Sequence, residues 1–118
     1  MSIVSTTLEA NLNRVFNERD AIRRGQAIQE LYAADATFYE QQATFSGTDA
    51  IIDAVTHLIG SLPPTLRFVV VSPAMVNHDM GKLLWRGELS DGKIVVTGTD
   101  IAHVENGRIR SLYVFVDG

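Results

Sequence analysis

The first half of the chain carries apolar residues at the spacing of amphipathic helices. The apolar face of the first predicted helix consists of Leu8, Leu12, Val15 and Phe16. Thr6 and Glu9 have the spacing of a capping box, which places the start of this helix at Thr6. Asp20 is the candidate cap of a second helix. The apolar positions of that helix are Ala21, Ile28, Leu31 and Tyr32.

A third helix is predicted after Gly47, because Thr48 and Asp49 are typical of a helix start. Its core face consists of Ile51, Ile52, Val55, Leu58 and Ile59. Two prolines in residues 60–64 end the helix. Ahead of it, short strands are predicted at residues 36–40 and 44–45.

Beyond Leu66 the pattern becomes the alternation of apolar and polar residues that is typical of strands. Strands are predicted at residues 67–76, 81–89, 94–105 and 108–116, with turns between them. Consecutive strands joined by short turns form an antiparallel meander. Three helices followed by such a sheet predict an α+β fold with the helices on one face. A curved sheet of this kind leaves a ligand cavity between the two layers.

Composition narrows the possible functions. A length of 118 residues fits a single domain over residues 1–118, and 46% hydrophobic residues are enough for a core. The net charge of -4, without a run of Lys or Arg, argues against nucleic acid or an anionic membrane as a partner. Cysteine is absent, which excludes disulfides and thiolate catalysis. We expect no signal peptide, no membrane span and a cytoplasmic location.

Cofactor motifs are also missing from the sequence. His57, His78 and His103 do not have the spacing of metal ligands. No glycine-rich phosphate loop is present. The sequence therefore predicts neither a metal site nor a nucleotide cofactor.

Two carboxylates fall on apolar strand faces. In the strand at 94–105, the face that carries Asp100 consists otherwise of Val96, Gly98, Ala102 and Val104. Glu40 shares its strand face with Ala36 and Phe38. If both enter one cavity, one could act as a base and the other could remain a protonated hydrogen-bond donor.

A purely structural interpretation of these carboxylates stays open. Glu40 could lie in water at the rim of the sheet. Asp100 could accept hydrogen bonds from the backbone or from Trp85. We expect Trp85 to pack in the core, although its indole N–H could still bind Asp100 or a ligand.

Three segments resemble SnoaL-like proteins of the nuclear-transport-factor-like superfamily. Residues 98–109 resemble the C-terminal hairpin of that family. Residues 31–38 resemble the end of its second helix and its first strand, and residues 47–51 resemble the start of its third helix. The resemblance implies a cone in which a curved antiparallel sheet wraps around three N-terminal helices. The superfamily hosts many functions, so the resemblance identifies the fold better than the activity.

The resemblance also implies roles for individual residues. Asp100 matches the acid/base aspartate of SnoaL-type polyketide cyclases, in which a histidine stands where this chain has Trp85. Asp100 also matches the protonated oxyanion donor of ketosteroid isomerase, and Glu40 matches the position of its base. Phe16 stands where that isomerase has a tyrosine donor.

We therefore expect a cofactor-independent acid/base enzyme acting on a small apolar carbonyl compound, with Asp100 and Glu40 as catalytic residues. The predicted lining of its pocket consists of Phe16, Phe38, Trp85, Leu112, Val114 and Val116. The alternative is a non-catalytic module that binds a small ligand or a protein. We also expect a homodimer through the outer sheet face that contains Thr97, Thr99, Ile101 and Tyr113.

Overall fold

The structure, a computed structural model, describes residues 2–118 and contains three helical segments and seven strands. The helices are α1 (Ile3–Asn11, continued by a π-helical turn at Leu12–Phe16), α2 (Ala21–Leu31) and α3 (Thr48–Ser61). The strands are β1 (Tyr32–Tyr39), β2 (Thr44–Ser46), β3 (Arg67–Val70), β4 (Met75–Asn77), β5 (Met80–Glu88), β6 (Ile94–Glu105) and β7 (Arg108–Val116). This arrangement confirms the predicted α+β fold.

Helix α1 begins one turn earlier than predicted. Ser2, in extended backbone conformation, is the cap, and its hydroxyl oxygen accepts a hydrogen bond from the backbone N–H of Ser5 at 3.0 Å. Thr6 lies inside the helix and donates its hydroxyl to the carbonyl of Ser2. The prediction of a cap at Thr6 was therefore wrong, because a second serine or threonine upstream could serve the same purpose.

The other two helix starts agree with the sequence. Asp20 caps α2 by accepting the backbone N–H of Arg23 at 2.9 Å, which confirms that prediction. Helix α3 follows Gly47, whose positive φ of 87° favours glycine at that position. Tyr32, predicted to lie on α2, is instead the first residue of β1.

The strands form one curved, unclosed sheet in the order β2-β1-β7-β6-β5-β3, and β4 pairs with the other half of β5. Consecutive neighbours are antiparallel, but β1 runs parallel to β7, so the sheet is mixed instead of wholly antiparallel. The predicted strand at 67–76 is two strands, because the chain between β3 and β4 leaves the sheet around Pro73.

The core lies between the helices and the concave face of the sheet. Its fully buried side chains include Leu8, Ile28, Ile51, Val55, Ile109 and Leu112. Along β6 from Gly98 to Val104, the inward positions are buried and the intervening ones are only partly buried, as the alternation predicted. The sheet therefore presents Asp100 toward the helices.

Candidate functional site

A cavity of about 350 Å³ lies between the helices and the concave face of the sheet. Its lining is mostly apolar and consists of Leu12, Phe16, Phe38, Glu40, Gln41, Gln42, Leu58, Leu62, Phe68, Trp85, Val96, Asp100, Val114 and Val116. A cavity of this size can enclose a small organic molecule.

Asp100 is the polar group at the inner wall of this cavity, and only 2% of its surface is exposed. Its Oδ1 accepts a hydrogen bond from the indole N–H of Trp85 at 2.8 Å. Its Oδ2 has no hydrogen-bond partner among residues 2–118. One carboxyl oxygen is therefore held by the protein while the other is free for a ligand.

Burial raises the pKa of Asp100 from 3.8 to about 7, because a carboxylate loses its hydration in an apolar cavity. The hydrogen bond from Trp85 lowers this pKa, since it favours the charged form, but it does not offset the effect of burial. Near neutral pH the carboxyl group therefore exists in both protonation states, so it can donate or accept a proton.

Glu40 reaches the same cavity from the opposite side of Val114. Residue Tyr39 of β1 lies beside Tyr113 of β7, so continuing this register places Glu40 beside Val114, which pairs with Asp100. With strands about 5 Å apart, the Cα atoms of the two acidic residues are roughly 10 Å apart. All three side chains point to the concave face, which leaves room for a ligand between the two carboxyl groups.

The Glu40 carboxyl group is available to such a ligand. The side chain is half-buried, and its residue makes a backbone hydrogen bond to Ala43 that closes the loop after β1. Within residues 2–118, the Glu40 carboxyl group takes part in no ion pair. The sequence-based possibility of a rim position therefore holds in part, since Glu40 lies at the cavity and still contacts solvent.

Four aromatic side chains form one wall of the cavity. Phe16 makes edge-to-face contacts with Phe38 and Phe68, with ring centroids 6.4 and 6.3 Å apart. Phe68 contacts the Trp85 ring edge-on at 5.3 Å. Offset and edge-to-face aromatic contacts stabilise a fixed arrangement. The wall therefore holds the Trp85 ring in the orientation from which it reaches Asp100.

A buried polar pair that sequence reasoning missed lies close to the site. Tyr32 is 1% exposed, and its hydroxyl donates to Oδ1 of Asn11 at 2.7 Å. The pKa of Tyr32 is raised mainly by burial and, to a smaller extent, by the negative charge of nearby Asp100. Tyr32 therefore remains a neutral donor. Its position at the end of an apolar helix face gave no sign of this role.

The structure places every predicted site residue at the cavity except Leu112. That side chain is fully buried in the core between its neighbours Ala102 of β6 and Phe38 of β1, and it does not line the cavity. Lining residues absent from the prediction include Phe68 and Val96, which lie on inward strand positions, and Leu58, which lies on the predicted face of α3. Gln41 and Gln42 lie in a loop and had no sequence signal.

Within residues 2–118, no three His, Cys, Asp or Glu side chains are grouped so that they could hold a metal ion. None of the helices in that range is long and apolar enough to cross a membrane.

Comparison with known proteins identifies the family. The family model of the SnoaL-like domain matches residues 10–112, so the chain belongs to the SnoaL-like family. The match confirms the resemblance drawn from the sequence. No curated protein matches the sequence.

Several solved structures share the fold. A proposed isomerase of the SnoaL-like family from Agrobacterium tumefaciens superposes with a TM-score of 0.90 at 24% identity, over 100% of both chains. A proposed SnoaL-like polyketide cyclase from Jannaschia has a TM-score of 0.82 at 14% identity, over 98% of this chain and 85% of the other. A proposed ketosteroid isomerase from Kribbella flavida has a TM-score of 0.74 at 13% identity, over 98% and 78%. At these identities the likeness shows the fold alone.

Proposed function

We propose that this protein is a cofactor-independent acid/base enzyme that acts on a small, uncharged, apolar carbonyl compound. The observation that carries the proposal is Asp100, a buried carboxyl group with one oxygen bound to Trp85 and the other free in an apolar cavity. A buried acid with a raised pKa, facing a cavity of ligand size, is typical of a catalytic group.

In the proposed reaction, protonated Asp100 donates a hydrogen bond to the carbonyl oxygen of the substrate. Glu40 removes a proton from the carbon next to the carbonyl, and the proton of Asp100 moves to the oxygen, which gives an enol. Glu40 then returns its proton to the same or another carbon while the enol O–H gives its proton back to Asp100, which regenerates a ketone and both carboxyl groups in their starting states. A positioned base contributes about 10²–10⁴ in rate. A donor to the developing oxyanion contributes about 10²–10³.

The charges around the cavity favour an uncharged substrate. The cavity lining identified within residues 2–118 contains the carboxyl groups of Asp100 and Glu40 but no Lys or Arg. A carboxylate or phosphate in the ligand would therefore meet like charge in a desolvated space, with no cation to balance it. Gln41 and Gln42 offer neutral amide groups to a polar end of the ligand.

Deuterium exchange tests the reaction without knowledge of the natural substrate. We expect cyclohexanone or α-tetralone to take up deuterium next to the carbonyl in D2O faster with the protein than without it, as measured by mass spectrometry. Asp100→Asn and Glu40→Gln should each slow the exchange by at least about 10²-fold. Glu105→Gln, an exposed glutamate on the same strand as Asp100, is the matched control and should exchange at the wild-type rate.

The exchange rate should also depend on pH in a defined direction. Because protonated Asp100 is the proposed donor and burial raises its pKa to about 7, the rate should fall as the pH rises through about 7. Exchange by both variants at the wild-type rate would refute the proposed roles.

The second candidate function is ligand binding without chemistry, and Phe16 favours it. The resemblance implies a tyrosine hydroxyl at this position as a second hydrogen-bond donor to the oxyanion, but Phe16 has no hydroxyl group. The oxyanion of the proposed reaction would therefore have Asp100 as its hydrogen-bond donor without that tyrosine. The indole N–H of Trp85 is already bound to Asp100. If calorimetry shows that α-tetralone binds and its exchange in D2O is not accelerated, the binding function is correct.

A further inference from the structure

Gly98 lies directly beneath the Trp85 ring. The two residues pair across β5 and β6, and both belong to the inward face of the sheet. A Cβ atom on Gly98 would collide with Cζ2 of the indole, and would lie 2.6 Å from its Cη2 and 2.6 Å from the carbonyl oxygen of Phe115. The ring therefore occupies the space that any side chain at position 98 would need.

Backbone conformation does not explain this glycine. Among the described glycines, Gly47, Gly92 and Gly107 have positive φ values, and Gly98 does not. Alanine could adopt the same backbone in an extended strand. The reason for a glycine at position 98 is therefore the close approach of the indole and of the Phe115 carbonyl oxygen.

The indole cannot move aside and keep its contacts. On one side, Phe68 packs edge-on against it at 5.3 Å and 87°. Its N–H reaches Asp100, two residues along β6 from Gly98, at 2.8 Å. A side chain at position 98 would lift the ring from the strand that carries Asp100, and the N–H would lose its acceptor.

We propose that Gly98 is a positioning residue for the candidate site: the absence of a side chain seats the Trp85 indole where its N–H binds Oδ1 of Asp100 and leaves Oδ2 free for a ligand. Gly98 acts through Trp85 and contacts no ligand itself. The inference rests on the geometry of the two strands and does not depend on the proposed reaction.

The ionisation of Asp100 reports on this arrangement. The Trp85 hydrogen bond lowers the pKa of Asp100, whereas burial raises it. A variant that displaces the indole keeps the burial and loses the hydrogen bond. The pKa of Asp100 should therefore rise further, by about 1, which is about a tenfold increase in proton affinity.

Nuclear magnetic resonance of Gly98→Ala tests the proposal. The chain contains one tryptophan, so its indole N–H gives a single 1H–15N signal, which should follow the ionisation of Asp100 with a midpoint of about 7 in the wild type. In Gly98→Ala this signal should shift and lose most of its pH dependence. Carboxyl 13C signals should show the raised pKa of Asp100. Trp85→Phe, which keeps a ring without the N–H, should raise that pKa by a similar amount.

Two further variants separate positioning from general destabilisation. Gly81→Ala is the matched control, because a Cβ there would collide with Leu8 and lie 2.7 Å from Val4, in the packing against α1. It should leave the indole signal and its midpoint unchanged. In the Trp85→Phe background, Gly98→Ala should produce no further change in the pKa of Asp100, since its effect passes through the indole.

The double variant also covers the case in which Gly98→Ala fails to fold. Phenylalanine lacks the outer ring atoms that collide with a Cβ at position 98, which leaves the Phe115 carbonyl oxygen, 2.6 Å from that Cβ, as the remaining close contact. We expect a small shift of β7 to relieve this contact, so Gly98→Ala should fold in the Trp85→Phe background. Failure of that double variant to fold would overturn the proposal, because the Phe115 carbonyl would then be the obstacle. The proposal would also be overturned if the indole signal of Gly98→Ala titrates as in the wild type. It would be overturned as well if Gly98→Ala changes the pKa of Asp100 by the same amount in the Trp85→Phe background as in the wild-type background.

Discussion

Replacing Asp100 with asparagine should make the folded protein more stable at alkaline pH. In the folded state burial raises the pKa of Asp100 to about 7, whereas its ordinary value of 3.8 applies to the unfolded chain. The folded state therefore holds the proton more tightly than the unfolded state. The contribution of Asp100 to the free energy of unfolding is fully present below pH 3.8 and is lost as the pH rises through about 7.

The size of the effect follows from the same pKa values. The two values differ by about 3, and each unit corresponds to about 1.4 kcal/mol, so ionisation of Asp100 costs the folded state about 4 kcal/mol. Asparagine has the shape of the protonated acid and can accept the indole N–H of Trp85 through its amide oxygen. The substitution should therefore be nearly neutral at pH 4 and stabilising by about 4 kcal/mol at pH 8.

Urea unfolding at pH 4, 6 and 8, followed by circular dichroism, measures this difference between the variant and the wild type. Other titrating groups cancel because both proteins contain them. Asp53→Asn removes an exposed carboxylate on α3 and should change the free energy of unfolding by no more than about 0.5 kcal/mol at each pH. If the difference for Asp100→Asn is the same at all three pH values, Asp100 is not desolvated as the structure implies.

Three further predictions concern the cavity, the outer face of the sheet and the first helix. Val114→Phe should fill the space between Glu40 and Asp100 and abolish binding of α-tetralone in calorimetry, and unchanged affinity would show that the ligand binds elsewhere. The predicted homodimer should have twice the 13.0 kDa mass of the chain in light scattering at micromolar concentration. Tyr113→Asp, which places a charge on an exposed side chain stacked on Tyr39, should give the monomer mass, and a monomeric wild type would refute this prediction. Ser2→Ala should reduce the free energy of unfolding by about 1 kcal/mol, because it removes the α1 cap. Thr6→Ala should reduce the free energy of unfolding by less. If urea unfolding shows the larger loss for Thr6→Ala, the observed cap is contradicted.

The helper groups around Asp100 distinguish this site from the enzymes that its sequence resembles. In the resemblance drawn from the sequence, Trp85 occupies the position of a histidine of the cyclases, and Phe16 occupies the position of a tyrosine of the isomerase. In this structure Trp85 binds Asp100, and Phe16 belongs to the aromatic wall. In the proposed reaction, proton transfer would therefore rest on Asp100 and Glu40 without these two helper groups. For this reason, deuterium exchange is the most direct test of function.

The sequence by itself determined the faces of the elements. Side chains alternate along a strand, so the pattern of β6 alone placed Asp100 on the buried face. The turn between β6 and β7 was equally local, since Asn106 and Gly107 both adopt the positive φ values that this pair of residues favours. These features depend on neighbouring residues and need no knowledge of the rest of the chain.

The tertiary structure alone decided which faces meet. Glu40 and Asp100 line one cavity because β1 lies parallel to β7, a pairing between segments about 75 residues apart that no hairpin enforces. The same long-range packing buried Leu112 below the cavity, joined Tyr32 to Asn11 and seated Trp85 on Gly98. Periodicity reports the direction of a side chain, whereas its partners depend on the free energy of packing the whole fold.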